Sequence, residues 1–177
     1  EGKRAKEDKR LNVTIPIFEG QPYVMGEMSV ADNTVLPDIY YDRTFPIADG
    51  EVYDLGQINE WITSLEEIHN NTGYVNYNVE QKVEVRDGNV VDVNFKVNER
   101  DQIYVNRIGF KGNTTTRDKV IRREVLLREG DVFRLNFFRN SLLRINQLGF
   151  FDVSRSEPDV RFLPNENKVN IDINGFE

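Results

Sequence analysis

The sequence predicts an α+β fold in which one order of elements, strand, helix, helix, strand, strand, occurs twice. Residues 108–124 read as a strand that ends in a tight turn at Gly112-Asn113 and continues into a charged helix. A second amphipathic helix follows, and two short runs of β character close the unit. The same pattern appears upstream in weaker form, with a period of about eighty residues, which is too long for a solenoid and suits tandem domains.

Taken from the start, residues 1–10 are charged and poor in apolar side chains, so they are expected to form a loop or frayed end. Leu11, Val13, Ile15 and Ile17 then alternate with Asn12, Thr14 and Pro16, the period of a half-buried strand. A lone strand buries no face, so this one should be mobile or borrow a partner edge. Residues 23–30 are the first strand of the first unit. Asp32-Asn33-Thr34 stands where Gly112-Asn113-Thr114 stands later, and Asp49-Gly50 where Glu129-Gly130 stands. Between them a first helix falls within 35–47, kept short by Pro37 and Pro46.

The second helix, 54–70, is clearer. Leu55, Ile58, Trp61, Ile62, Leu65 and Ile68 share one face, and Gly73 ends it. A hairpin follows, with Val75, Tyr77, Val79, Val83 and Val85 on the outgoing arm, a turn at Asp87-Gly88-Asn89, and Val91, Val93, Phe95 and Val97 returning. Its apolar face is expected to meet the two helices. Residues 98–102 are a short polar joint into the second unit.

In that unit Thr115 and Asp118 have the spacing of a capping box, and Val120, Ile121, Val125 and Leu126 give one buried stripe. Glu129-Gly130-Asp131 stops the helix. The next helix, 135–148, carries Phe138, Leu142, Ile145 and Leu148 on one face, with Gly149 placed as its C-terminal cap. The final hairpin spans 151–162 and 168–173. Pro158 lacks an N–H for a ladder, so its first arm should be an edge, bent or bulged there.

Composition excludes several classes of function. The net charge of −7, with 30% charged residues, argues against nucleic acid, which needs a concentrated basic face. Without Cys there is no disulfide framework, thiol nucleophile or Cys-based metal site. No apolar run approaches the ~20 residues of a spanning helix, and no signal-peptide core is present. His69, the only histidine, has no second His for a metal cluster and is expected to lie exposed near a helix end. Carboxylate pairs such as Glu66-Glu67 read as solvated faces, so no catalytic residue, cofactor or metal is assigned. Phe133, Phe137, Phe138, Phe150 and Phe151 read as core, with Phe137 off the stripe.

Gly112-Asn113 after the strand, Arg122-Arg123-Glu124 in the first helix, Glu129-Gly130-Asp131 between helices and Leu148-Gly149-Phe150-Phe151 after the second stand in register. Together they resemble a POTRA domain, the periplasmic module of BamA-type outer-membrane barrel assembly proteins. The resemblance implies two tandem POTRA-like domains, 19–99 and 100–177, each a three-stranded mixed sheet with two helices on one face. Residues 1–18 would hold a charged stretch and the last strand of a preceding module, and a membrane barrel would follow in the same chain. The first unit departs from the pattern at Asp32-Asn33 and Pro37.

The function so implied is a non-catalytic periplasmic scaffold that binds unfolded outer-membrane protein precursors and docks accessory periplasmic or lipid-anchored proteins. Its client edge would be the middle strand of the first module, with Tyr74, Val75, Tyr77, Val79, Val83 and Val85. Arg122, Arg123, Glu124, Arg128 and Glu129 make a mixed-charge docking candidate, while Gly112, Asn113, Gly130 and Gly149 are structural turn residues. The same fold would also suit a two-partner secretion or organelle-import transporter, or a cell-division-type interaction protein.

Overall fold

A computed structural model describes residues 13–17, 20–163 and 165–177. The first unit contains β1 (Val24–Ala31), α1 (Asp38–Thr44), α2 (Leu55–Asn71), β2 (Asn78–Arg86) and β3 (Val90–Asn98). The second repeats the order with β4 (Tyr104–Lys111), α3 (Asp118–Arg122), α4 (Leu135–Asn146), β5 (Asp159–Leu163) and β6 (Lys168–Asn174). Each unit forms a three-stranded sheet, ordered β1-β3-β2 and β4-β6-β5. The last strand is therefore central, parallel to the first and antiparallel to the middle one.

Strict alternation builds the central strands. Val91, Val93, Phe95 and Val97 of β3 are all buried, and each such side chain contributes roughly 1.5–3 kcal/mol when removed from water. They meet Ile58, Trp61 and Leu65 from the face of α2. Trp61 lies edge-on to both Phe45 and Phe95, with centroids 5.1 Å away in each case, and its Nε1 donates to Thr44 Oγ1 at 3.0 Å. The second core gathers Ile108, Ile121, Phe138, Ile145, Phe151, Ile171 and Ile173.

Local chemistry fixes several element ends. Pro37 occupies the position before α1, and Pro46 follows soon after the helix has ended at Thr44. Asp54 caps α2, accepting from the Gly56 and Gln57 amides at 2.7 and 3.3 Å. The loop between the helices returns to the outer side of the first strand. Met25 exchanges backbone hydrogen bonds with Glu51 and Gly50, as Val105 does with Asp131 and Gly130.

The structure corrects the expected pattern at several places. α3 stops at Arg122, so Leu127 rather than Leu126 enters the core. Thr115 and Asp118 form no capping box; Arg117 precedes the helix, and Asn113 Nδ2 instead donates to Asp118 Oδ1 and Thr116 O. α4 ends at Asn146, with Ser141 buried on its inner face, and its hydroxyl donates to Phe137 O at 2.6 Å. β5 starts after Pro158, which keeps the proline out of the ladder. Phe150 is exposed while Phe151 is buried. Val13, Ile15 and Ile17 lie exposed with no strand assigned, and the remainder of the N-terminal stretch, residues 1–12 and 18, falls outside the described residues.

Gly112 has a φ of 89°, and a Cβ there would overlap the Gly175 carbonyl. Asp32, its counterpart, holds a φ of 65° with a side chain in place. Gly112→Ala should therefore destabilise the second unit by about 2 kcal/mol in denaturant unfolding, whereas Asp32→Gly should shift the first by less than ~1 kcal/mol.

Candidate functional site

A central last strand leaves the middle strand of each unit at an edge. β2 pairs with β3 over its whole length, from Asn78 opposite Asn98 to Arg86 opposite Val90, and with no other described strand. Its outer N–H and C=O groups form nine residues of template, whereas β5 offers five. Val83 and Val85 sit opposite the buried Val93 and Val91 but are 45% and 59% exposed. The helices cover the sheet only toward Val79, so an apolar ledge continues to the free edge, contrary to the expectation that the hairpin face is wholly covered.

Of the edge residues read from sequence, Val79, Val83 and Val85 lie in β2, while Tyr74, Val75 and Tyr77 precede it. Val75 packs against the core of the second unit. Tyr77 stacks on His69, with centroids 4.0 Å apart and planes 16° from parallel. These three form the link from α2 to β2 because Gly73, with φ of 97°, turns the chain out of α2 first.

The connection between units is organised by a carboxylate that sequence reasoning did not single out. Glu99, 5% exposed, accepts from the Thr34 and Val35 amides at 2.9 Å and from the Thr34 hydroxyl. Burial opposes its ionisation, but these bonds outweigh it and hold its carboxyl below the usual range. His69, expected at the surface, is fully buried: Nδ1 lies 2.7 Å from Leu65 O and Nε2 lies 3.4 Å from Glu99 Oε1, a long contact. Burial, aided by the charge of Glu99, pushes the Tyr41 hydroxyl up to about 12. In the second unit Glu177 does the same for the turn after β4, accepting from the Thr115 and Thr116 amides at 2.7 and 2.6 Å.

From Glu99 the chain runs directly into the next unit. Ile103 N donates to Gly73 O at 2.9 Å, Gln102 Nε2 to Thr72 O at 2.8 Å, and Asn136 N to Asn71 Oδ1 at 2.9 Å. The polar joint is thus tied to both units.

The mixed-charge residues divide. Arg122 and Glu129 turn inward to seal the edge of β4: Ile108 N donates to Glu129 Oε1 at 3.0 Å, and Arg122 Nη2 donates to Ile108 O at 2.8 Å. Arg122 also lies over the Phe110 ring at 5.1 Å. Arg123 and Arg144 flank Glu124 at 3.2 and 3.1 Å. Arg122, Arg123, Arg128 and Glu129 rim a cleft of about 380 Å³ floored by Ile108, Val125 and Leu127. Gly112, Gly130 and Gly149 all hold positive φ at their turns. Among the described residues no cluster of three or more His, Asp or Glu is arranged to hold a metal, and no helix is long and apolar enough to cross a membrane.

An α+β unit with a central last strand, repeated, is the architecture of a POTRA module, and the family described as POTRA, surface antigen variable number repeat, matches residues 23–100 and 103–174. The chain belongs to that family. Its modules are of the kind found in BamA-type outer membrane protein assembly factors: it is 32% identical to BamA of Neorickettsia risticii over 76% of this chain and 18% of that protein. With BamA of Neisseria meningitidis it is 26% identical over 84% of this chain and 19% of the other. The chain thus spans about a fifth of the length of the curated relatives it matches. In fold it is similar to the Haemophilus influenzae BamA POTRA3-5 structure, with a TM-score of 0.71 at 17% identity over 90% of this chain and 63% of that one. BamA from Haemophilus ducreyi lacking POTRA domains 1-3 gives 0.72 at 22% identity, over 88% and 29%.

Because the folded carboxyl of Glu99 is more acidic than an unfolded glutamate, its contribution is complete above about pH 4.3 and falls away as pH drops through the folded value. Glu99→Gln should lower the stability of the first module by about 1–3 kcal/mol at pH 7 and remove that acid-dependent part, as read by thermal unfolding at pH 7 and pH 3.

Proposed function

We propose that this chain is a non-catalytic periplasmic segment of an outer-membrane protein assembly factor, receiving unfolded β-barrel precursors by strand addition along β2. The observation that carries the reading is the nine-residue unpaired edge of β2 with Val83 and Val85 exposed beside it. Main-chain hydrogen bonds supply affinity with little regard to client sequence, and the valines offer places for alternate client side chains. Glu80, Lys82 and Glu84 on the opposite face keep the edge soluble between clients.

The cleft rimmed by Arg123 and Arg128, with Glu124 paired to Arg123 beside it, is the surface for an accessory protein, with guanidinium forks orienting a partner carboxylate. Arg122 and Glu129 act there by holding the β4 edge and the cleft wall in shape. Residues 19–99 and 100–177 act as two modules and, through the ties at residues 71–73 and 102–136, present client edge and docking cleft in a fixed relation. The membrane barrel with which they work is the precursor's destination.

Successive N–H groups of an edge strand point alternately to the partner strand and outward. Of Val83→Pro and Glu84→Pro, one therefore removes an outward donor and should weaken binding of an unfolded barrel precursor at least fivefold by fluorescence anisotropy while the β3 amide spectrum stays native. The other breaks the β2–β3 ladder and should lower stability. Equal precursor affinity in wild type and in the natively folded variant would reject strand addition at β2.

A further inference from the structure

The two modules differ at equivalent places on the outer side of their first strands. Ile108 pairs with Ile171 after the irregularity in β4, as Met28 pairs with Val93 after that in β1. At Ile108 the chain seals its own edge: Arg122 donates to the carbonyl, Glu129 accepts from the amide, and the two charges lie 3.6 Å apart. At the corresponding places beside Met28 the first module carries Asp42 and Asp49. A carboxylate has no proton to give a carbonyl at neutral pH, so Asp42 cannot repeat the part of Arg122. Among the described residues no side chain bonds to the Met28 amide or carbonyl, and neither Asp42 nor Asp49 has an ion-pair partner.

The surroundings form a groove of about 630 Å³ floored by Met28, Phe45 and Ile47 and rimmed by Glu27, Asp42 and Asp49. Arg86 is the cation that feels the charges of Glu27 and Asp49, but it is held by Asp92 at 2.5 Å. Past Met25, whose outer side is taken by Gly50 and Glu51, the groove thus combines a strand edge open at Met28, an apolar floor and carboxylates without an ion-pair partner among the described residues. In the second module the guanidinium of Arg122 meets an equivalent carbonyl and carboxylate from within the chain.

We infer that the β1 edge at Met28 is a docking site for an extended, arginine-bearing peptide segment of a partner protein. The partner's backbone adds along β1, its apolar residues rest on Met28, Phe45 and Ile47, and its guanidinium takes the place that Arg122 fills in the second module, between the Met28 carbonyl and Asp42 and Asp49. This site lies on the opposite edge of the sheet from β2, so it stands or falls separately from client binding there.

The probe is acetyl-Val-Arg-Val-Arg-Val-amide, titrated into the 177-residue chain and followed by backbone NMR. Shifts should run from Glu27 to Val30 and through Ile47 to Asp49. The same peptide with glutamate for arginine should bind at least tenfold more weakly. Asp42→Arg combined with Asp49→Glu rebuilds the second module's seal and should also reduce binding at least tenfold with native β3 shifts. Should that variant misfold, Asp42→Asn with Asp49→Asn should weaken binding several-fold at low salt, by loss of charge alone. Undiminished binding to a folded variant, equal binding of the glutamate peptide, shifts confined to β2, or no shifts at all would each overturn the assignment.

Discussion

Each module depends on one constraint, that the strand made last must lie in the middle of its sheet. β3 and β6 carry the buried alternation, and among the described strands both neighbours pair only with them. Because the first strand runs parallel to the last, it cannot reach it by a tight turn, and the helices supply the crossover. They pack on one face as a consequence. The first and middle strands become edges by the same logic, so the placement of a single strand determines both where the core lies and where backbone remains available.

The carboxylate that closes each module completes this arrangement. Glu99 and Glu177 follow the central strands and take the amides of the turn leaving the first strand, 65 and 62 residues away in sequence. In the first module that carboxylate is also beside His69 at the end of α2, one step before the chain crosses to Ile103. Turn, helix end, central strand and joint therefore meet at one buried charge. Asn71, Thr72 and Gly73 then bond to the second module directly, which opposes free swivelling at the polar joint.

Features set by local pattern were legible in the sequence. The stripe from Ile58 to Leu65, the prolines bracketing α1, and the positive-φ glycines at 50, 73, 112 and 130 each arise from a few neighbouring residues. The rest depended on tertiary placement. Leu127 replaced Leu126 in the core because α3 ends after five residues, so helical spacing no longer governs residues 123–127. His69 lies inside because Tyr77 folds back onto it, and Val83 and Val85 lie outside because the helices do not reach that end of the sheet. Nothing local to Glu99 announces amides so far away, and nothing local to Arg122 shows that its fork turns inward onto Ile108 rather than outward.

The edges are managed unequally. β4 is sealed by Arg122 and Glu129, β5 is short, and β2 is long and bordered by apolar surface. The proposed strand addition at β2 rests on this contrast. The most direct test is residue-resolved hydrogen exchange of the chain with and without a saturating unfolded barrel precursor. The account predicts that alternate amides of Asn78–Arg86 slow markedly while those of β3 stay as they were. Unchanged exchange along β2, with protection appearing only around Arg123 and Arg128, would contradict it.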